Sequence, residues 1–162
     1  ADVSDTEVLH RGNEVTIRMV GQFQTTRATL SSNPPAVRAL YALARSLRAK
    51  PGLRIAVHGH RTNEPIPGGI RDRWRAGNVD RARAAYVANL LSDWGVPPER
   101  VVTRWHGTSR PLTEGRTARM RRRDARLEIV VRVAREDDAA VVRRLLAAAW
   151  DAGPALPTTP IP

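Results

Sequence analysis

The stretch Leu53–Ile66, LRIAVHGHRTNEPI, decides how the rest of the chain is interpreted. Its first half is an apolar run that ends at His58, a pattern typical of a buried strand. Its second half is polar and continues into a loop that contains Pro65 and Pro67. Because open α/β sheets bind ligands beyond the carboxyl ends of their strands, the loop that begins at Gly59 is the first candidate site.

Strand and helix patterns alternate on both sides of this stretch. Glu14–Val20 alternates apolar and polar residues, as a half-buried strand does. After Pro34, the apolar residues of Ala36–Ala49 recur at helical spacing. The other predicted elements are a helix after Asn78, a strand at Val101–Trp105, a basic helical segment at Arg116–Arg123 and a strand at Ala125–Val133. This order predicts an α/β (α+β) fold with helices packed on one mixed, four-stranded sheet.

The length of 162 residues fits one domain with short extensions. We predict a flexible lead-in over residues 1–13, the folded domain over 14–134, an extra C-terminal helix over 135–151 and a Pro-rich tail over 152–162.

Arginine dominates the charge of the chain. There are 27 basic and 16 acidic residues, and Lys50 is the only lysine. Such an excess indicates anionic partners, or else arginines spread over solvated faces. The absence of cysteine excludes a disulfide scaffold and thiol catalysis. No apolar run approaches the roughly 18–20 residues of a membrane span. Since the chain opens at Ala1 without a signal peptide, we expect any membrane anchor to lie outside it.

No motif in the sequence predicts an enzyme, a cofactor or a metal site. We expect His58 and His60 to face opposite sides of their strand, which would separate them as metal ligands. Ser109 lacks the G-x-S-x-G context of a nucleophile elbow. The basic segment and the tryptophans leave nucleic acid as an alternative partner, but they do not favour specific binding. Weak binding to anionic lipid or an anionic wall polymer is a further alternative.

Four motifs occur in a fixed order along the chain. Gly59–Ile66 reads GHRTNEPI, Val79–Val87 reads VDRARAAYV, Gly107–Pro111 reads GTSRP and Arg121–Ile129 reads RRRDARLEI. Together they resemble G-H-T-D-N-x-P-I, L-S-x-x-R-A-x-x-V, G-x-x-x-P and R-x-x-[N/D]-R-R-V-E-I of the OmpA-like domain. That domain ends OmpA-type porins, Pal lipoproteins, flagellar stator subunits of the MotB type and some type VI secretion anchors. The pattern is most similar to the stator and secretion branch, although Ala125 replaces an arginine of the last motif.

The resemblance implies a non-enzymatic domain of the Gram-negative envelope, on the periplasmic side, that associates with peptidoglycan. In the family, a loop Asp binds the ammonium of diaminopimelate in the stem peptide, and a helix Arg binds a carboxylate. Arg83 occupies the position of that Arg, and a guanidinium suits a carboxylate because it donates two parallel hydrogen bonds. The resemblance also implies that six further residues contact the ligand: His60, Thr62, Asn63, Asp80, Asp124 and Arg126.

The loop departs from the family at the anionic position. Without a gap, the family's Asp aligns with Thr62; if Arg61 is an insertion, the position holds Asn63. Either alignment removes the carboxylate, and losing a charge-assisted hydrogen bond costs about 1.5–3 kcal/mol. Glu64 and Asp80 are the two acids that could compensate. For Asp80, the alternative is a residue that only complements the helix dipole in the first turn.

Two functional hypotheses therefore remain open. The first is a domain that tethers a membrane-anchored protein or machine, including outer-membrane assemblies, to peptidoglycan. The second is a family member that has lost peptidoglycan binding and serves as an interaction or assembly domain of an envelope complex. In the second hypothesis, the predicted helix Val141–Trp150 is a docking surface, and the partners are other envelope proteins. A homodimer is a further candidate assembly.

Overall fold

The structure is a computed structural model that describes residues 5–23, 28–30, 34–62, 69, 77–135, 138–140 and 142–144. The strands are β1 (Asp5–Arg11), β2 (Glu14–Val20), β3 (Arg54–Gly59), β4 (Val101–Trp105) and β5 (Leu127–Arg132). The helices are α1 (Pro34–Arg48), α2 (Val79–Asp93) and α3 (Ala118–Asp124), with a short 3-10 helix at Pro98–Arg100. Residues 138–140 and 142–144 are also helical.

The described strands form one mixed sheet in the order β1-β2-β5-β3-β4. β5 is antiparallel to both β2 and β3, whereas β3 and β4 run parallel. The predicted α/β class with helices on one mixed sheet is therefore confirmed. The predicted boundaries differ from the observed ones by one to two residues at most ends, and β2 and β4 have the predicted bounds.

The predicted flexible lead-in and the predicted count of four strands were wrong, because Asp5–Arg11 is a fifth strand. It pairs antiparallel with β2 along its whole length. The two-residue turn Gly12-Asn13 joins the strands, with Gly12 at φ +59°, and Gly-Asn is a recognised hairpin signal. Glu7 contacts Arg18 at 3.5 Å and Arg123 at 2.8 Å, so this edge strand is bound to the domain through its side chains as well.

One face of the sheet, the inner face, packs into the hydrophobic core. Alternate residues of the three central strands are buried there, as the alternation in the sequence predicts. The apolar stripe of α1 is buried in the same core and includes Leu40, Leu43 and Leu47. Ala139 and Val142 also belong to this core. The helix predicted from residue 135 is thus observed in part, and the remainder of Val141–Trp150 and the Pro-rich tail lie outside the described residues.

Arg100 fixes the connection between α1 and β3. Its guanidinium donates to the backbone oxygens of Leu47 at 3.0 Å, Lys50 at 2.8 Å and Leu53 at 2.8 Å. The last carbonyls of a helix lack partners within the helix, and an arginine can satisfy them. This contact sets the point at which β3 enters the sheet. Within the described part of the chain, none of the helices combines the length and the apolar surface that a membrane span requires.

The end of β3 lies directly against the start of α2 at Gly59. A Cβ atom added to Gly59 would lie 2.1 Å from the backbone oxygen of Asp80 and 2.7 Å from its carbonyl carbon. Backbone atoms cannot rotate away as a side chain does. Only glycine therefore allows the strand and the helix to approach this closely.

We predict that Gly59→Ala lowers the free energy of unfolding by about 1–3 kcal/mol, because β3 and α2 must separate to admit the methyl group. Gly52→Ala is the matched control, since a Cβ at Gly52 meets nothing within 4 Å. We expect the control to change stability by less than about 0.5 kcal/mol. Urea denaturation of both variants measures the difference, and equal free energies of unfolding would contradict this packing.

Candidate functional site

Polar residues near the end of β3 lie on both faces of the sheet, and Gly59 marks the position where the two faces differ. Gly59 pairs with Leu127 of the inner face, and its Cβ direction points at Asp80. His58 and His60 flank Gly59 and therefore point to the opposite, outer face. The structure thus separates two clusters, one at the amino end of α2 and one on the outer face.

The first cluster is centred on Asp80, whose side chain is 3% exposed. Its Oδ2 accepts a hydrogen bond from the backbone N–H of Gly107 at 2.8 Å. Its Oδ1 lies 3.9 Å from Nε of Arg61, and the N–H of Arg61 donates to the oxygen of Gly107 at 3.0 Å. Asp80 is therefore more than a dipole-complementing residue of the first turn, because it joins α2 to the loop after β4.

Arg83 lies one turn further along α2 and is 7% exposed. Its guanidinium carbon is 5.0 Å from the ring centroid of Phe23, and that ring meets Tyr86 edge to face at 6.4 Å. Burial lowers the pKa of Arg83 to about 10, and the nearby carboxylate of Asp80 opposes this shift. Arg83 thus remains a cation at neutral pH. A buried cation and a buried anion lie three residues apart on one helix face.

Arg61 brings a second cation to this cluster. Its side chain is 31% exposed and lies beside Asp80 and Gly107. Thr62 follows it and is half-buried. Asn63 and Glu64 lie outside the described residues, so both alignments of the loop stay open.

Asp124 and Arg126 hold the segment that precedes α3. Asp124 is 5% exposed and accepts hydrogen bonds from the N–H groups of Leu112 and Thr113, both at 2.8 Å. Arg126 donates to Glu128 at 3.1 Å and to the oxygens of Arg110 at 2.9 Å and Asp124 at 3.2 Å. These contacts give both residues a structural role in the loop, and their contact with a ligand stays a prediction.

The second cluster consists of three histidines on the outer face. The expectation that His58 and His60 face opposite sides was wrong, because residues two apart on a strand share a face. Nδ1 of His58 lies 2.7 Å from Nε2 of His106, and their rings stack with centroids 5.0 Å apart. The ring of His60 stacks on His106 at 4.8 Å, and its Nε2 is 4.0 Å from Oε1 of Glu128. His60 thus lies with the other histidines rather than with Arg83.

Among the residues that the structure describes, no group of three or more imidazole or carboxylate side chains is arranged to hold a metal ion. A physical reason is visible at Glu128, the nearest carboxylate to the histidines. Its Oε2 is bound by Arg18 at 2.7 Å and by Arg126 at 3.1 Å. These guanidinium groups already neutralise the charge that a metal ion would need.

Sequence reasoning missed the contributions of the loop after β4. Gly107 was assigned to a turn motif, and no signal in the sequence pairs its N–H with Asp80. From the sequence, Trp105 is a candidate only for stacking against the bases of a nucleic acid. It is 50% exposed, with the guanidinium carbon of Arg81 4.8 Å from its ring centroid. Its position beside the first cluster follows from the parallel pairing of β3 and β4.

Residues 22–125 match the model of the OmpA family. The chain belongs to the OmpA family. The cell wall anchor of the T6SS from Pseudomonas aeruginosa is 26% identical, with a TM-score of 0.66 over 79% of this chain and 87% of that chain. A putative MotB-like protein from Desulfovibrio vulgaris is 20% identical, with a TM-score of 0.68 over 79% and 81%. The periplasmic domain of Helicobacter pylori MotB is 15% identical, with a TM-score of 0.65 over 90% and 93%.

No curated protein matches this OmpA-family chain. The resemblance inferred from the four motifs is confirmed by the family match, and its likeness to type VI secretion anchors by the cell wall anchor at 26% identity. The OmpA-family structures below 25% identity support the fold alone.

Acid should destabilise this OmpA-family domain through His60. Burial is the main reason that the pKa of His60 falls to about 3, and the positive charge of Arg126 acts in the same direction. Below its ordinary pKa of about 6.5, the unfolded chain takes up a proton that the folded state does not bind. Stability attributable to His60 is therefore full above about pH 6.5 and is lost progressively as the pH falls towards 3.

We predict that the His60→Gln variant loses about 2 kcal/mol less stability than the wild type between pH 7 and pH 5, because glutamine has no proton to take up. Urea denaturation at both pH values measures this. The comparison is between pH slopes, so a lower stability of the variant at pH 7 does not affect it. Parallel pH dependences of the two proteins would show that His60 is not held neutral by the fold.

Proposed function

We propose that this domain is a non-enzymatic, peptidoglycan-associating module of the periplasm that tethers a membrane-anchored protein or machine to the cell wall. The observation that carries the proposal is the pair of buried charges, Arg83 and Asp80, one turn apart beside the end of β3. Family membership and the likeness to the cell wall anchor of the Pseudomonas aeruginosa T6SS support it. We place the membrane anchor outside this chain.

The ligand that fits the proposal is the zwitterionic end of diaminopimelate in the stem peptide. A zwitterion needs one fixed cation and one fixed anion, and Arg83 supplies the cation. Its ring contact with Phe23 holds the guanidinium plane, which lowers the entropy lost when it binds a carboxylate. Burial raises the strength of the resulting hydrogen bonds, because the local dielectric constant is lower than that of water.

Asp80 is our candidate for the anion that replaces the family's loop Asp. Its Oδ2 is occupied by Gly107, but its Oδ1 faces Arg61 at 3.9 Å, beyond hydrogen-bond distance. The Arg61 side chain is partly exposed, and such pairs contribute at most about 1 kcal/mol. A ligand ammonium can therefore take the place of Arg61 beside Oδ1. Thr62 and Asn63 stay candidate contacts in the same loop.

The engagement of Asp80 also supports a second candidate function. A carboxylate that already contacts Gly107 and Arg61 need not bind an ammonium. In that case the domain keeps the OmpA fold and acts as an interaction or assembly domain of an envelope complex. The partners are then other envelope proteins or a second copy of the chain.

Co-sedimentation with purified peptidoglycan sacculi tests the proposal. We expect the wild type to co-sediment at moderate salt and Arg83→Lys to bind at least about tenfold more weakly, because lysine keeps the charge but loses the bidentate fork. Arg122→Ala is the matched control, since it removes one exposed charge from a different helix. It should change affinity by less than about twofold.

Two results would contradict peptidoglycan binding at this site. One is the absence of co-sedimentation by the wild type, which would favour the assembly function. The other is an equal effect of Arg83→Lys and Arg122→Ala, which would indicate nonspecific attraction by the net charge. Circular dichroism of each variant checks that the fold is intact.

A further inference from the structure

On the outer face of the sheet, the side chains of neighbouring strands lie in ordered rows that run across the strands. The strand registers align Thr16, Val130, Ala56 and Val102 across β2, β5, β3 and β4. The neighbouring row in the same strands consists of Arg18, Glu128, His58 and Arg104. A row of small, mostly apolar side chains therefore runs beside a charged row that contains His58 and ends at Arg104.

All residues of these rows except Arg18 line a groove of about 950 Å³, which we call the outer groove. This volume lies within the range of about 300–1,000 Å³ that is typical of ligand sites. Six arginines line the groove against three glutamates: Arg54, Arg100, Arg104, Arg110, Arg126 and Arg132 against Glu14, Glu99 and Glu128. The lining thus favours an anion.

Several of these arginines already bind groups of the protein. Arg100 binds three backbone oxygens, Arg126 binds Glu128, and Arg132 binds Glu14 at 2.6 Å. Within the described part of the chain, neither Arg104 nor Arg110 has a carboxylate partner. Among the described residues, Arg104 donates to the neighbouring backbone oxygen of Thr103, at 3.0 Å. Arg54, at the opposite end of the groove, also lacks a carboxylate partner among the described residues. The end where His58 lies, which we call the histidine end, thus holds two such arginines, and the opposite end holds Arg54 and Arg100, of which Arg100 binds backbone oxygens.

The His58–His106 pair supplies one further donor at the histidine end. His58 lies directly across from Arg104 in the β3–β4 register, and its contact with His106 leaves Nε2 of His58 and Nδ1 of His106 available. Burial lowers the pKa of both rings, and the positive charge of Arg110 acts in the same direction. The neutral pair uses one N–H in its own hydrogen bond and therefore offers one N–H to a ligand. When His106 donates to His58, this donor is the Nε2–H of His58.

His60 gives independent support for a ligand at this position. It lines the groove and is 3% exposed, yet neither ring nitrogen has a hydrogen-bond partner among the described residues. Buried polar atoms in folded proteins nearly always have a partner, and each exception needs an explanation. A ligand in the groove that carries polar groups provides one.

We propose that the histidine end of the outer groove binds a phosphoryl group through Arg104, Arg110 and His58, with His106 holding the ring of His58 in place. The donors come from β3, from β4 and from the loop after β4, so they approach from several directions. A terminal phosphoryl group offers three acceptor oxygens to such donors, whereas a planar carboxylate offers two. Arginine is also the side chain best suited to phosphate recognition.

This site is independent of the proposed peptidoglycan site. Arg83 and Asp80 lie on the inner side of β3, where Gly59 points, and the outer groove lies on the other side. The row of Val130, Ala56 and Val102 extends from the phosphoryl position and can contact the apolar remainder of a larger ligand. Loss of one site should therefore leave the other intact.

The test is a titration of the whole chain, in chloride buffer at pH 7, followed by the NMR signals of His58 and His106. Inorganic phosphate is the first probe and acetate at the same ionic strength is its control. We expect phosphate, and not acetate, to shift the two histidine signals saturably. The double variant Arg104→Gln/Arg110→Gln should weaken phosphate binding at least about tenfold. Arg54→Gln removes a charge from the far part of the groove and should weaken it less than about twofold.

A second arm identifies the source of the phosphoryl group. Co-sedimentation with phosphatidic acid vesicles that the double variant abolishes would assign a lipid headgroup, with phosphatidylcholine vesicles as the control. Binding of inorganic phosphate without vesicle binding would assign a soluble ligand. The proposal is overturned if neither probe binds, if acetate acts like phosphate, or if the double variant binds as the wild type does. Arg104 and Arg110 are exposed, so the double variant is expected to fold.

Discussion

Gly59 lies against the backbone of Asp80, and the arrangement of the whole site depends on this contact. A Cβ at residue 59 would lie 2.1 Å from the Asp80 oxygen, so glycine alone admits the amino end of α2 so close to β3. The carboxylate of Asp80 then reaches the N–H of Gly107 at 2.8 Å, which joins the loop after β4 to the same point. Once these three segments are joined, Arg83 one turn later must lie at the same edge of the sheet.

The sequence predicted the elements whose pattern is local. β2 and β4 have the predicted bounds, and α1 begins at the predicted Pro34, because alternation and helical periodicity depend only on neighbouring residues. β1 was missed although its Gly12-Asn13 turn is a hairpin signal. The burial of Asp80 was not predictable from a first-turn acid, since its partner Gly107 is 27 residues away in the chain. The prediction that His58 and His60 face opposite sides was wrong, because residues two apart on a strand point to the same face.

Some arginines bind groups of the protein itself, and others are proposed to bind ligands. The excess of positive charge therefore does more than cover a solvated surface. Arg100 binds the carbonyls that end α1, and Arg126 binds backbone oxygens and Glu128. Their removal would leave buried oxygens without partners. Arg83 lies on the inner side of the sheet, while Arg104 lies on the outer face. The proposed peptidoglycan site and the proposed phosphoryl site therefore share no residue.

The central claim is that Arg83, with Asp80, recognises a zwitterion. The most direct measurement is the NMR signal of the Arg83 Nε–H during titration with a stem tripeptide that contains meso-diaminopimelate. A tripeptide with lysine at the same position is the control, because it keeps the ammonium and lacks the second carboxylate. The account predicts a saturable shift with the diaminopimelate peptide and at least about tenfold weaker binding of the lysine peptide. An Arg83 signal that does not move, or that responds equally to both peptides, would contradict it.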